Sequence, residues 1–351
     1  MTGCREKRKI ILSSAAVVLI FAAILFCAGR LVVPKYVASG EEGNLIAEYY
    51  RSEENHDVLF VGDCEVYESF VPAVLWQASG ITSYVRGSAQ QLVWHSYYLL
   101  EEMLRRESPS VVVFNVLALK YGTPQNEAYN RMTLDGMKWS LSKVRAVRAS
   151  MTEEETFLSY VFPLLRYHSR WSELSREDVT YFWPGSVPTL SYDGYLLQTE
   201  IVPKTSEREG SQLLDYTLPP ESLSWLEKMA SLCEEHGAKL LLIKAPTNSW
   251  KYWWYDEWDE QVGAFAQSHQ IDYINMIPLA DAIGIDWSQD TYDGGVHLNV
   301  SGAEKLSRWF GDALLARYPE LEETKDEETV ARWNEKYNAY ERGKEEMIHE
   351  K

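Results

Sequence analysis

The sequence predicts an α/β fold: a three-layer, doubly wound parallel sheet with a largely helical insertion, behind one N-terminal membrane-spanning helix. Three observations predict it. Residues Ile10 to Gly29 are twenty positions in a row without a charge. From Asp57 onward, short β-branched runs alternate with longer amphipathic ones, the order that builds parallel sheets with helices on both faces. Two loops that carry reactive side chains follow or precede such runs, and parallel sheets gather ligands at the carboxyl ends of their strands.

The first element follows from length and charge. About 20 helical residues at 1.5 Å each cross a ~30 Å hydrocarbon layer. Arg5, Lys7, Arg8 and Lys9 precede the run, which keeps residues 1–9 cytoplasmic, makes 10–29 a single-pass anchor in the cell membrane and places the rest of the chain outside. A cleaved signal peptide is the alternative, because Cys27-Ala28-Gly29 offers small residues near a cut. The run is longer than the ~7–15 residues of a typical signal core, which favours the anchor. A lipoprotein anchor at Cys27 fits poorly with the bulky Phe26 before it. Residues 30–56 read as a linker.

The α/β domain is expected over 57–318. Val58 to Val61 is the first strand, followed by a helix around Val71 to Ala78. Ser83 to Arg86 is the second strand, Leu92 to Arg106 the next helix, and Val111 to Val116 the third strand. The alternation resumes with a helix from about Glu221 to Glu235, closed by His236-Gly237, where glycine suits the C-cap. Lys239 to Lys244 is a strand, Glu257 to Ser268 a helix and Ile271 to Asn275 a short strand. A last helix spans about Gly302 to Tyr318, with Ser301 as its expected N-cap.

Between these halves, residues 120–219 lose the alternation and are rich in aromatics at helical spacing, which suggests a helical insertion capping the strand ends, or a second domain. Residues 319–351 are highly charged and read as a solvated terminal helix or tail.

Composition excludes some functions. The chain has 34 Lys and Arg against 52 Asp and Glu, a net charge of −18, which repels nucleic acid. Beyond the apolar run only Cys64 and Cys233 remain, too few for a disulfide scaffold. Cys233 falls in step with Leu223, Leu226 and Ala230, on the apolar face of its helix. The seven histidines show no metal-ligand spacing, and neither a metal nor a cofactor is expected.

Two segments carry the chemistry. Gly62-Asp63-Cys64 follows the first strand, and Asp293-Gly294-Gly295-Val296-His297 precedes Leu298-Asn299. Acyl transfer needs a nucleophile, a base, a group that orients the base, and donors for an oxyanion. Cys64, His297 and Asp293 can fill the first three roles, with Asp290 competing as the orienting acid. The two blocks together, in a βαβ frame, resemble the SGNH/GDSL hydrolase superfamily, with Cys at the nucleophile position instead of Ser. Asp293 lies four residues before His297, where that superfamily commonly has three. The resemblance implies an SGNH/flavodoxin-like fold over roughly Asp57 to Tyr318, and oxyanion roles for Gly87 and Asn115. The Gly-x-Asn-Asp surroundings usual around that asparagine are missing here.

The anchor, the early nucleophile, Tyr67, Gly87 and the late His-Leu-Asn are also similar to extracytoplasmic members of that superfamily. These include the D-alanine transfer protein of teichoic acid modification and exopolysaccharide acetyltransferases. What this implies is an esterase or acyltransferase acting on ester-linked acyl groups of a cell-envelope polysaccharide, with a membrane acyltransferase as a candidate partner. Trp250, Tyr252, Trp253, Trp254, Tyr255 and Trp258 crowd after the strand that ends at Lys244, and suit stacking on sugar rings or packing in the core. Arg131, His168 and Lys244 are further candidates for substrate contact. The alternative function is a catalytically inactive SGNH-fold protein that binds a polysaccharide or an assembly partner.

Overall fold

The computed structural model describes residues 2–35, 44–52, 55–205, 210, 212–249 and 254–349. Five strands form one parallel sheet: β1 (Val58–Gly62), β2 (Ser83–Gly87), β3 (Val111–Asn115), β4 (Lys239–Lys244) and β5 (Asp272–Asn275), in the order β2-β1-β3-β4-β5. The chain starts at β1, passes to β2 on one side, then returns to β3 on the other. Helices on both faces make the three layers the sequence predicts.

Strands β1, β2 and β3, and β4 beyond Lys239, are buried on both sides, so their side chains divide by parity. Val58, Phe60, Val111, Val113, Leu241 and Ile243 point into one core, with Phe70, Val74 and Phe310 from the helices Pro72–Ser79 and Val300–Arg317 and the loop before the first of them. Leu59, Val61, Val112, Phe114, Leu240 and Leu242 point into the other, with Leu100, Leu226 and Val262. Cys233 lies in that second core, as its helical spacing suggests.

Element boundaries follow local chemistry. The helix Pro220–Glu235 stops where Gly237 takes φ +71°, a conformation glycine adopts without Cβ strain. The helix Val300–Arg317 begins two residues before the expected Gly302, because Asn299 and not Ser301 is the cap. The Asn299 side-chain oxygen accepts from the N–H groups of Ser301 at 3.1 Å and Gly302 at 3.3 Å.

The chain divides into two compact units, Met1–Glu41 with Glu153–Thr189, and Glu42–Thr152 with Leu190–Lys351. The first holds the helix Thr2–Val32, which contains one candidate membrane span, Lys9–Val32. The second holds the sheet. Residues 120–219, read in the sequence as one insertion, are therefore shared between the units. In the sheet unit the helix Leu141–Ser150 packs along the helix Val93–Met103. It is drawn there by polar atoms that need partners: Trp94 Nε1 and His95 Nε2 reach Ser150 Oγ at 3.2 and 2.8 Å.

The charged C-terminal segment is docked on the sheet unit. The helix Glu327–His349 buries Trp333 and Tyr340, and Asn334 accepts from Trp76 Nε1 at 3.0 Å. Lys336 pairs with Asp193, and Lys344 with Glu304. Two aromatics among many charges are enough to fix one face of a helix while the other stays solvated.

Candidate active site

Asp63 leaves β1 in extended conformation and caps the one-turn helix Cys64–Tyr67, its side chain accepting from the Glu65 N–H at 3.2 Å. The cap turns the chain sharply, so Cys64 stands at the carboxyl end of the sheet, partly buried. Gly87 lies beside this turn, level with Gly62 in the sheet register. A Cβ at Gly87 would meet Gly62 O and a Tyr67 ring carbon, each at 2.9 Å, so close passage of β2 requires glycine here.

His297 arrives on the loop before the helix Val300–Arg317. Its Nε2 lies 3.1 Å from Cys64 Sγ, and its Nδ1 lies 2.7 Å from Asp293 Oδ2. The four-residue spacing is accommodated by Gly294 and Gly295, with φ of +83° and +91°. That left-handed pair curls Asp293 back so that its other oxygen also accepts the His297 N–H, at 2.9 Å. Asp290, the competing acid, is turned away: it is fully buried, pairs with Lys305 at 2.5 Å and accepts from Asp286 N.

Two residues that sequence reasoning missed complete the surroundings of the imidazole. Glu68 Oε2 stands 3.5 Å from His297 Nδ1, and the Tyr292 hydroxyl donates to the same Glu68 oxygen at 2.9 Å. The Tyr292 ring stacks near the imidazole, with centroids 6.1 Å apart. The signal for Glu68 was available: it follows Cys64 by four positions, the spacing that puts two side chains on one helical face.

Beneath Cys64 lies a buried polar network. Lys244 Nζ donates to both oxygens of Glu65, at 2.8 and 2.7 Å, and to Ala245 O. Asn115, at the end of β3, donates to Asp63 Oδ1 at 3.0 Å and Glu65 Oε2 at 2.9 Å, and accepts from Ala245 N. Both amide hydrogens of Asn115 are thus committed to carboxylates, and it is fully buried. Burial, then the Glu65 charge, pushes Asp63 up to about 6.

The remaining candidates for substrate contact are placed elsewhere. Arg131 is buried and pairs with Glu127 and Asp135 of its own helix, Glu127–Leu134 and the residue after it. Lys244 is held by Glu65. Trp254 is buried in the second core with Trp258, their ring centroids 5.6 Å apart. Aromatic area of that size is worth most when removed from water. Trp253, with Trp250 and Tyr252, lies outside the described residues. His168 is exposed in the first unit.

Charge at the site is set by burial and by the carboxylates. Burial pushes the Cys64 thiol up to about 11; His297 pulls it down, while Asp63 and Glu68 add to the rise. Burial alone would depress His297, yet the negative charge of an ionised Cys64, of Glu68 and the Asp293 hydrogen bond hold it well above its ordinary value. Asp293, which burial would raise, is held below the usual carboxylate range by its bonds from His297. The rise at His297 and the pull on Cys64 are two sides of one coupling: transfer of the thiol proton to Nε2 gives a thiolate beside an imidazolium, each charge favouring the other. Such a pair is a competent nucleophile and proton donor.

No protein-family model matches the chain, and neither does any curated protein. Among solved structures, the chain is similar to a GDSL-like lipase from Bacteroides thetaiotaomicron VPI-5482, at 12% identity and a TM-score of 0.36, over 79% of this chain and 100% of that one. It is similar to the same degree, 12% and 0.36, to a protein described as an acylhydrolase from Bacteroides fragilis NCTC 9343, over 77% of this chain and 94% of that one.

Proposed function

We propose that the protein is a membrane-anchored acyl-ester hydrolase or acyltransferase of the cell envelope, with Cys64 as nucleophile, His297 as acid and base, and Asp293 as orienting acid. The observation that carries this reading is the unbroken chain from Cys64 Sγ to His297 Nε2 at 3.1 Å and from His297 Nδ1 to Asp293 Oδ2 at 2.7 Å, drawn from opposite ends of the sequence. The Cys64 thiolate attacks the acyl carbonyl, and the tetrahedral oxyanion collapses to a thioester as His297 Nε2 protonates the departing alcohol. His297, now neutral, takes a proton from water or from a polymer hydroxyl. That oxygen attacks the thioester carbon, and the thiolate leaves.

Asn115 has no hydrogen left to offer, so the oxyanion role falls to the backbone N–H groups of Cys64 and Gly87. The substrate class in this proposal is an acylated cell-envelope polysaccharide, with a membrane acyltransferase as donor partner. In this reading the helix Thr2–Val32 is the membrane anchor, with the basic N-terminus on the cytoplasmic side.

A scaffold without turnover is the second reading, favoured by the high thiol pKa and the committed Asn115. Incubation with activated esters separates the two. The enzyme reading expects a mass increase of one acyl group on Cys64, absent in Cys64→Ala and in His297→Gln. Intact cellular function in both Cys64→Ala and Cys64→Ser would exclude it.

A further inference from the structure

We infer that the segment 153–189 is a membrane-interface platform, its exposed apolar side chains seated in one leaflet beside the end of the N-terminal helix, with a phospholipid acyl chain in the groove between that helix and Phe182. The inference rests on the anchor reading above and extends it to a part of the chain that the acyl chemistry does not use.

Attachment fixes the depth. Arg30 donates to Phe182 O from Nε at 3.2 Å and from Nη2 at 2.8 Å, and Arg170 donates to Val32 O, so the segment is fastened to the last turn of the helix. From there Phe182 reaches along the helix and, with side chains from Ile20 to Leu31, lines a groove of about 510 Å³. Eleven residues of helix rise about 16 Å, close to one leaflet, half of a ~30 Å hydrocarbon layer. The groove therefore runs alongside the second half of the uncharged stretch and carries no charged lining residue.

The exposed surface of the same segment sets large apolar side chains among the exposed charges of Glu153, Glu154, Arg166, Glu173 and Arg176, the mixture that suits a membrane interface. Leu158 on the helix Phe157–Val161, Phe162 just after its end and Leu165 on the helix Leu164–Tyr167 are 57%, 52% and 56% exposed. Trp171, Val179 and Trp183 are 54%, 67% and 61% exposed. Exposed tryptophans next to the end of a membrane span mark the headgroup level, where an amphipathic ring gains at both ends. A partner transmembrane helix is the rival occupant. Helix pairs in lipid favour small residues in close contact and polar groups as bridges, whereas this surface is bulky and spread over three short elements, Phe157–Val161, Leu164–Tyr167 and Arg176–Thr180, and the loops around them. A surface so divided suits a fluid partner that conforms to it.

The test uses the full chain, with Cys4→Ser, Cys27→Ser and Cys64→Ala as background, in dioleoylphosphatidylcholine vesicles with or without brominated acyl chains. Leu158→Cys, Leu165→Cys and Val179→Cys carry a bimane probe; Val18→Cys reports the span and Asp312→Cys reports water. The inference expects bromolipid quenching at the three platform sites at least about threefold stronger than at Asp312→Cys, together with protection from aqueous iodide. Water-like behaviour at the platform with Val18→Cys quenched overturns this inference and leaves the anchor standing. An unquenched Val18→Cys overturns both. Protection that appears only at high protein-to-lipid ratio assigns the surface to a protein partner and also overturns it.

Discussion

At the scale of single residues, the site couples a buried thiol to an imidazole faced by two carboxylates, and this sets its pH dependence. Cys64 titrates high because burial disfavours the thiolate, with Asp63 and Glu68 adding negative charge. Alkylation of Cys64 by iodoacetamide is therefore expected to rise with pH through the alkaline range, since the thiolate is the reacting species. Glu68 offers the sharper prediction. Glu68→Gln keeps an acceptor for Tyr292 and removes one negative charge near both Cys64 and His297, so each loses a proton more easily. The alkylation midpoint should move down by about one pH unit, while the fold and the Asp293 bond persist. An unmoved midpoint would mean that the carboxylate is neutral in the resting site. Asp293→Asn is expected to act differently. It leaves the thiol buried but frees the ring to turn, so under the proposed acyl chemistry acylation of Cys64 by activated esters should slow by roughly 10²- to 10⁴-fold with little change in stability.

At the scale of elements, the end of β4 and the helix turn after β1 are held together by a buried ion pair. Lys244 and Glu65 are both nearly inaccessible, and Glu65 also accepts from Asn115. Lys244→Met would leave Glu65 without its counter-charge and should cost about 3–5 kcal/mol in urea unfolding, whereas Lys244→Met with Glu65→Gln should recover most of it. A double variant no better than the single would show that the lysine acts through packing alone. These strands were legible in the sequence, because a strand buried on both faces reads as a continuous β-branched run and Val111-Val112-Val113-Phe114 admits little else. The meeting of Cys64 with His297 was legible for a related reason: a residue after a strand and a histidine before a helix mark loop positions at the strand ends. Tyr292 was hidden, since its contact with Glu68 exists only once two distant loops meet, whereas Glu68 was marked by its spacing from Cys64 and was overlooked. Arg131 and Lys244 were overread as binding residues, because a sequence does not display the carboxylates that neutralise them. The cap at Asn299 was misplaced by two residues because Asn299 and Ser301 have equal claims by residue type, and only backbone geometry decides between them.

At the scale of the whole molecule, acid stability should be governed in part by a histidine, His95, whose ring nitrogens bond to Leu92 and Ser150 and so join two helices, not to Cys64 or His297. His95 is buried where the helices Val93–Met103 and Leu141–Ser150 meet, and burial lowers its pKa to about 3. Its two nitrogens are committed to the neutral form: Nδ1 accepts from the Leu92 N–H at 3.2 Å, and Nε2 lies 2.8 Å from Ser150 Oγ, which itself donates to Ala146 O. A second proton on Nδ1 would face the Leu92 donor with no acceptor nearby to receive it. The folded pKa is depressed below the unfolded value of about 6.5, so the unfolded chain binds the extra proton first. The stability tied to this group is fully present above about pH 6.5 and is lost progressively as pH falls toward 3, by up to roughly 4 kcal/mol. Melting temperature should therefore drop between pH 6.5 and 4, and His95→Gln, which can still donate to Ser150 or accept from Leu92, should show a shallower drop over the same interval. Parallel curves for the two proteins would place the acid sensitivity in other groups and remove His95 from the account of how this helix pair is held.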